Sequence, residues 1–152
     1  MIIEGEKTFF GEPIDTAEDF IKDLYDRLDR MYTFTIQETN KSLQLRYIMG
    51  FLRGFKNRLN RVCEKSYKIY DFEIIGQNDN KKDMNDIIFE GEETFFGETI
   101  TTPEEFIDDF CNRIDILFKA AMEEEQDMHR LTYSLTSLMV LNDRLNRVCK
   151  NI

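Results

Sequence analysis

The sequence is short of the residues that most often do chemistry. It has one histidine, His129, and three cysteines. No Ser-His-Asp, Cys-His or His-Glu-x-x-His arrangement can be read around that histidine. The cysteines, Cys63, Cys111 and Cys149, are odd in number and lack CxxC spacing. That pattern argues against a disulfide framework and for a reducing cytoplasm. No apolar run approaches the roughly 20 residues of a membrane span. The opening Met1-Ile2-Ile3-Glu4-Gly5-Glu6 has neither the basic nor the apolar region of a signal peptide. No Gly-Lys-Ser/Thr follows the early glycines, so they do not form a phosphate loop. Glu123 to Asp127 lacks the central glycine and spacing of a calcium loop. Carboxylates are too abundant for any two to be singled out as an acid–base pair. No catalytic residue, metal ligand or cofactor is therefore assigned.

Positive charge is also in the minority. Lys and Arg number 20 against 30 Asp and Glu, a formal charge of −10. Such an excess repels phosphates and opposes nucleic-acid binding by the whole molecule. It favours solubility or a basic partner. The rest of the composition, 41% hydrophobic and 33% charged, with 13 Phe and 6 Tyr, is that of a folded soluble protein.

What is present is a motif carried twice. Arg58-Leu59-Asn60-Arg61-Val62-Cys63 recurs 86 residues later as Arg144-Leu145-Asn146-Arg147-Val148-Cys149. The same offset aligns Thr8-Phe9-Phe10-Gly11-Glu12 with Thr94-Phe95-Phe96-Gly97-Glu98. Laying residues 1–66 on 87–152 gives 27 identities in 66 pairs, far above chance. Residues 1–66 and 87–152 are two repeats, joined by 67–86. A unit of this size alone has a marginal core, so the copies are expected to share one. The lone His129 aligns with Leu43 and belongs to one copy only.

Each copy opens with strand formers and glycines. Ile2, Ile3, Phe9, Phe10 and Ile14 suit strands, and a hairpin turning at Gly5-Glu6-Lys7 is expected, with its equivalent in copy two. Gly5 and Gly11 survive duplication, which fits a backbone need such as positive φ. A helix follows. Thr102-Pro103-Glu104-Glu105 has the hydroxyl, proline and carboxylate of a capping box, and Thr16-Ala17-Glu18-Asp19 is its weaker form. Phe20, Ile21, Leu24, Tyr25 and Leu28 then mark one helical face, as do Phe106, Ile107, Phe110, Cys111 and Ile114. Asp23 with Arg27, and Asp109 with Arg113, are four apart on what reads as the outer side, at about 0.3–0.5 kcal/mol per pair. This helix is expected to end near Met31-Tyr32 in copy one and near Glu125 in copy two.

A second helix is expected over 41–65 and 127–150, with Leu45, Ile48, Leu52, Phe55, Leu59 and Val62 as one seam. Gly50 and Gly54 suggest a close helix approach. Tyr67 to Ile75 reads as a strand, and Gly76 to Lys82 as a polar loop. Met122, Met128 and Met139 read as core filler. The expected fold is α+β: two β-hairpin–α–α units related by a pseudo-twofold, with four packed helices and small antiparallel sheet elements.

Two surfaces stand out for function. Residues 87–127 carry thirteen acids and two bases. Within them Glu104, Glu105, Asp108, Asp109 and Asp115 are the candidate residues for contacting a basic partner. Residues 41–65 carry seven Lys and Arg and one Glu. There Arg58, Arg61, and their equivalents Arg144 and Arg147, form a candidate anion site. They equally suit a helix C-terminus, where arginine complements the dipole. The expectation is a non-enzymatic, cytoplasmic protein-binding module. Its most concrete form is a small inhibitor, or an immunity or anti-defence protein, that occupies a basic surface on a nucleic-acid-handling target. A nucleotide or nucleic-acid binder using the second-helix arginines is the alternative. No membrane partner is expected, and a homo-oligomer stays open.

Overall fold

The computed structural model describes residues 1, 3–77 and 87–149, with side chains up to residue 63 and from residue 87 onward. Ile2 and residues 78–82 of the expected loop lie outside the described residues. Four helices follow in order: α1 (Ala17–Ile36), α2 (Lys41–Gln77), α3 (Pro103–Glu123) and α4 (Asp127–Val148). None of them is long and apolar enough to cross a membrane among the described residues.

The helix starts obey the capping chemistry. The Thr16 side chain accepts from the Asp19 amide at 3.1 Å. Thr102 and Glu105 form the full reciprocal box, with Pro103 in the first turn. The apolar stripes then go inside. Phe20, Ile21, Leu24 and Leu28 of α1 are fully buried, and so are Phe106, Ile107, Phe110 and Ile114 of α3. Each such side chain contributes about 1.5–3 kcal/mol of burial. One cluster of buried side chains draws on all four helices, with Ile14 and Ile100 from the loops that precede α1 and α3.

The α+β expectation is overturned. The described part is all-α, 69% helical and 3% strand, with no sheet. In place of each hairpin is a loop closed by one isolated bridge, Lys7 with Pro13 and Glu93 with Thr99. The reason lies in the backbone. Gly5, Gly11, Gly91 and Gly97 all have φ between 85° and 90°, so each loop turns twice within seven residues. An extended run long enough for a ladder does not survive such turns. The loop satisfies its own amides instead: Glu6 donates to the Ile3 carbonyl, Thr8 to Glu12 and Ile14 to Glu6, and copy two repeats all three. The positive-φ expectation for the glycines holds.

Other boundaries also move. The segment Tyr67 to Ile75 is helical, because α2 runs unbroken to Gln77. No glycine or proline interrupts the chain from Phe55 to Ile75. Extending an existing helix adds one hydrogen bond per residue fixed, and β-branched residues oppose that by only tenths of a kcal/mol. Helix α1 passes Tyr32 and ends at Ile36. Thr35 Oγ1 donates back to the Met31 carbonyl at 2.7 Å, and the Gln44 amide caps the Thr35 carbonyl at 3.0 Å. In copy two Arg130 does the same for Ala121. Gly50 and Gly54 allow no close approach, since a Cβ at either would meet nothing within 4 Å. Met122, Met128 and Met139 are exposed and not core filler.

The two copies grip each other through their motifs. Asn60 of α2 accepts from Cys111 Sγ on α3 at 3.1 Å. Asn146 of α4 accepts from Tyr25 Oη on α1 at 2.6 Å. Tyr25 and Cys111 are equivalent positions, so these are one contact made twice with the copies exchanged. Lys56 with Asp115 at 4.0 Å and Asn142 with Asp29 at 3.5 Å form a second such pair.

Candidate functional site

The most repeated residues build the support for a loop. In copy one, Arg58 Nε donates to Glu6 at 3.0 Å and Nη2 meets Asp23 at 2.8 Å. Arg61 holds the other Glu6 oxygen at 2.8 Å. Arg27 pairs with Asp23 at 2.7 Å and donates to the Lys7 carbonyl at 3.0 Å. In copy two, Arg144 meets Glu92 at 2.9 Å and Asp109 at 2.8 Å, Arg147 meets Glu92 at 2.7 Å, and Arg113 meets Asp109 at 2.7 Å. Arg58 Cζ lies 4.6 Å from the centre of the Phe20 ring, and Arg144 Cζ 4.6 Å from that of Phe106. The ring covers the face of a guanidinium whose Nη1 finds no acceptor in either copy.

The carboxylates of these clusters, with Arg58 and Arg144, are largely buried. The Asp23 and Asp109 side chains are 2% and 1% exposed, against 26% and 31% for Arg27 and Arg113. The acids of the two i, i+4 pairs therefore do not sit on an outer face. Their second oxygens point up into the loop, where Asp23 accepts from the Phe9 amide at 2.9 Å and Asp109 from the Phe95 amide at 2.7 Å. Burial pushes the Glu92 carboxyl up, but hydrogen bonds from Arg147 and Arg144 outweigh it and hold the carboxyl below its usual range. The four arginines of the candidate anion site thus pair with Glu6, Glu92, Asp23 and Asp109, while Arg61 and Arg147 stay half or more exposed.

What the clusters hold up is a pair of phenylalanines in water. Phe9 is 50% and Phe10 70% exposed; Phe95 is 50% and Phe96 76% exposed. Each pair packs edge to face at 5.4 Å between ring centres. Thr8 and Thr94 hydroxyls accept from the Glu12 and Glu98 amides and close the turn beneath the rings. The sequence reading placed these residues in strands and missed them as a surface. The available signal was adjacency: two neighbouring aromatics in a strand cannot both face a core, yet both copies keep them together before Gly-Glu.

The acidic candidates divide. Glu105, Asp108 and Asp109 line a cavity of about 280 Å³ together with Phe96, Glu98 and Asn112. Of these, Asp109 is committed to Arg113, Arg144 and the Phe95 amide. Glu105 is exposed and also accepts from the Thr101 and Thr102 amides at 2.9 and 3.2 Å. Burial pushes the Asp108 carboxyl above its usual range; Glu104 and Glu105 add to this, while Cys63 and the Met1 amino group oppose it. Glu104 is half-buried and stands outside the cavity, as does Asp115 beside Lys56.

The remaining chemistry is quiet. The Cys63 thiol is pushed well above its usual range by a hydrogen bond with Cys111 and then by burial. Among the described residues, no group of three or more His, Cys, Asp and Glu is placed to hold a metal ion. Compared with protein-family models, curated proteins and solved structures, the chain matches none.

Proposed function

We propose that the protein is a non-enzymatic binding module that covers a basic surface of another protein, in the manner of a small inhibitor or adaptor. The observation that carries this reading is the duplicated Phe-Phe turn. An aromatic exposed to 70% or more, as Phe10 and Phe96 are, adds little burial to the fold. Yet both turns are fixed from below by a buried arginine–carboxylate cluster. A rigid, exposed aromatic loses little freedom when covered, which is what a binding anchor requires. The charge of −10 supplies steering toward a basic surface.

The test places a photo-crosslinking residue at Phe10, at Phe96 and, as control, at Lys119 in the full chain. A basic protein of the native host should be captured from the first two positions only. Phe10→Ala with Phe96→Ala should weaken binding of that protein by roughly 30-fold or more, the range of aromatic hot spots. Because both rings are exposed, the unfolding midpoint should move little, by no more than the lost edge-to-face and Arg30 contacts contribute. Unchanged binding by the double variant would sink the assignment of these turns.

A further inference from the structure

The two turns are alike in shape and opposite in what surrounds them. In copy one, Arg30 lies on the aromatic pair, its Cζ 4.6 Å from the Phe9 ring and 5.0 Å from the Phe10 ring. Its Nε donates to both oxygens of Asp26 at 3.1 Å. The guanidinium is thus held between two rings and a carboxylate. Residues 22, 26 and 30 follow one another at helical spacing of four, along the face under the turn. In copy one they are Lys22, Asp26 and Arg30; in copy two they are Asp108, Asn112 and Ile116. Copy two therefore keeps the rings, at the same 5.4 Å and at 88° against 89°. It lacks the cation on them. Among the described residues only Arg113 approaches, 5.9 Å from Phe95, as Arg27 does to Phe9 in copy one.

Beside the uncapped pair lies the cavity lined by Phe96, Glu98, Glu105 and Asp108. At the position of its lining residue Asp108, copy one has Lys22. We propose that the copy-two turn is the docking site for an arginine side chain of a basic partner. That guanidinium rests on Phe95 and Phe96 as Arg30 rests on Phe9 and Phe10, with the carboxylates of Glu98 and Asp108 as counter-charge. Copy one carries its own tethered version of the ligand and is closed to this contact. The inference rests on the binding-module reading but concerns which turn takes which group. It is carried by the internal precedent of Arg30 together with the charge inversion from Lys22 to Asp108.

The test needs no knowledge of the partner. N-acetyl-arginine methylamide is titrated into the full-length protein with labelled phenylalanines, and the ring signals are followed by NMR. The norleucine analogue, of similar length and no charge, is the control. The arginine probe should shift Phe95 and Phe96 saturably and leave Phe9 and Phe10 in place. Ile116→Arg should weaken that response by about two- to fivefold, the range of an exposed cation–π contact. This variant should fold, because Ile116 is 41% exposed and the equivalent position already holds arginine. Arg30→Ile with Lys22→Asp should create a second responsive pair at Phe9 and Phe10. An equal response to the norleucine probe, or a response indifferent to Ile116→Arg, overturns the proposal. Either result can coexist with weakened partner binding in the double phenylalanine variant, so the two readings fail separately.

Discussion

Arg144 and Glu92 meet at 2.9 Å although 52 residues separate them, and both side chains are at least nine-tenths buried. Removing Arg144 takes from Glu92 and from Asp109 their most buried partner, and both are nearly fully buried themselves. Arg144→Leu should therefore cost about 3–5 kcal/mol. Arg147 also holds Glu92, but its side chain is 60% exposed. Arg147→Ala should cost only about 0–1 kcal/mol. Urea unfolding of the two variants would measure the difference, and equal losses would contradict the burial argument.

Acid should act through the same cluster. The Glu92 carboxyl titrates below its unfolded value, which is about 4.3. Its contribution is complete above that value and is lost as pH falls through the folded value. Wild type should lose stability steeply below about pH 4, and Glu92→Gln should flatten that part of the curve while lowering stability at neutral pH. Unfolding midpoints between acid and neutral pH test this; parallel curves would contradict it.

Asp108 has the opposite sign. Its folded carboxyl titrates above the unfolded value, so stability falls as pH rises from about 3.9 toward the folded value. Asp108→Asn should thus be more stable than wild type at pH 7 and equal to it near pH 3. A variant less stable at pH 7 would show that Asp108 is held by its neighbours more strongly than burial opposes it.

Glycine substitutions should divide by backbone. Gly11 and Gly97 have φ of 89° and 88°. Alanine there should cost about 1–2 kcal/mol through left-handed strain. Gly50 and Gly54 lie inside α2 with open space around them. Alanine there should gain about 0.5–1 kcal/mol each. A loss at Gly50 or Gly54 would reveal a contact that the geometry does not contain.

Thiol labelling of the folded protein should be slow at every cysteine. Cys111 and Cys149 are buried, and the Cys63 thiol is held protonated beside Cys111. Reaction with iodoacetamide should speed up by orders of magnitude only in denaturant. Fast modification of native Cys63 would contradict this.

Local physics was legible in the sequence, and distant pairing was not. Thr102, Pro103 and Glu105 announced a helix start because the cap is complete within four residues. The stripe from Phe106 to Ile114 announced a buried face. The four loop glycines announced their left-handed backbone by surviving duplication. By contrast, the partner of Arg58 is Glu6, 52 residues back, and no periodicity encodes that. Asp23 looked like the acid of an exposed pair because spacing does not reveal that a loop folds over it. The phenylalanines misled because aromatic content argues for a strand until a turn is known to hold them out. Of the acidic candidates, Glu105, Asp108 and Asp109 line one cavity, and composition alone did not say that Asp109 is spent inside on Arg113 and Arg144.

The exchange of contacts between copies has a consequence for ancestry. Asn60 reaches position 111 and Asn146 reaches position 25, the same bond with the halves swapped. A half-length chain with this motif would offer that bond to an identical twin, twice, about a two-fold axis. Such an interface is isologous, and a homodimer is its natural product. Fusing the twins into one polypeptide replaces association from solution by closure within a chain. It also lifts a restriction that symmetry imposes. In a homodimer both aromatic turns must be the same, so a self-capping arginine on one is a self-capping arginine on both. Once fused, one turn can be sealed by Arg30 while its sibling stays open beside Ile116.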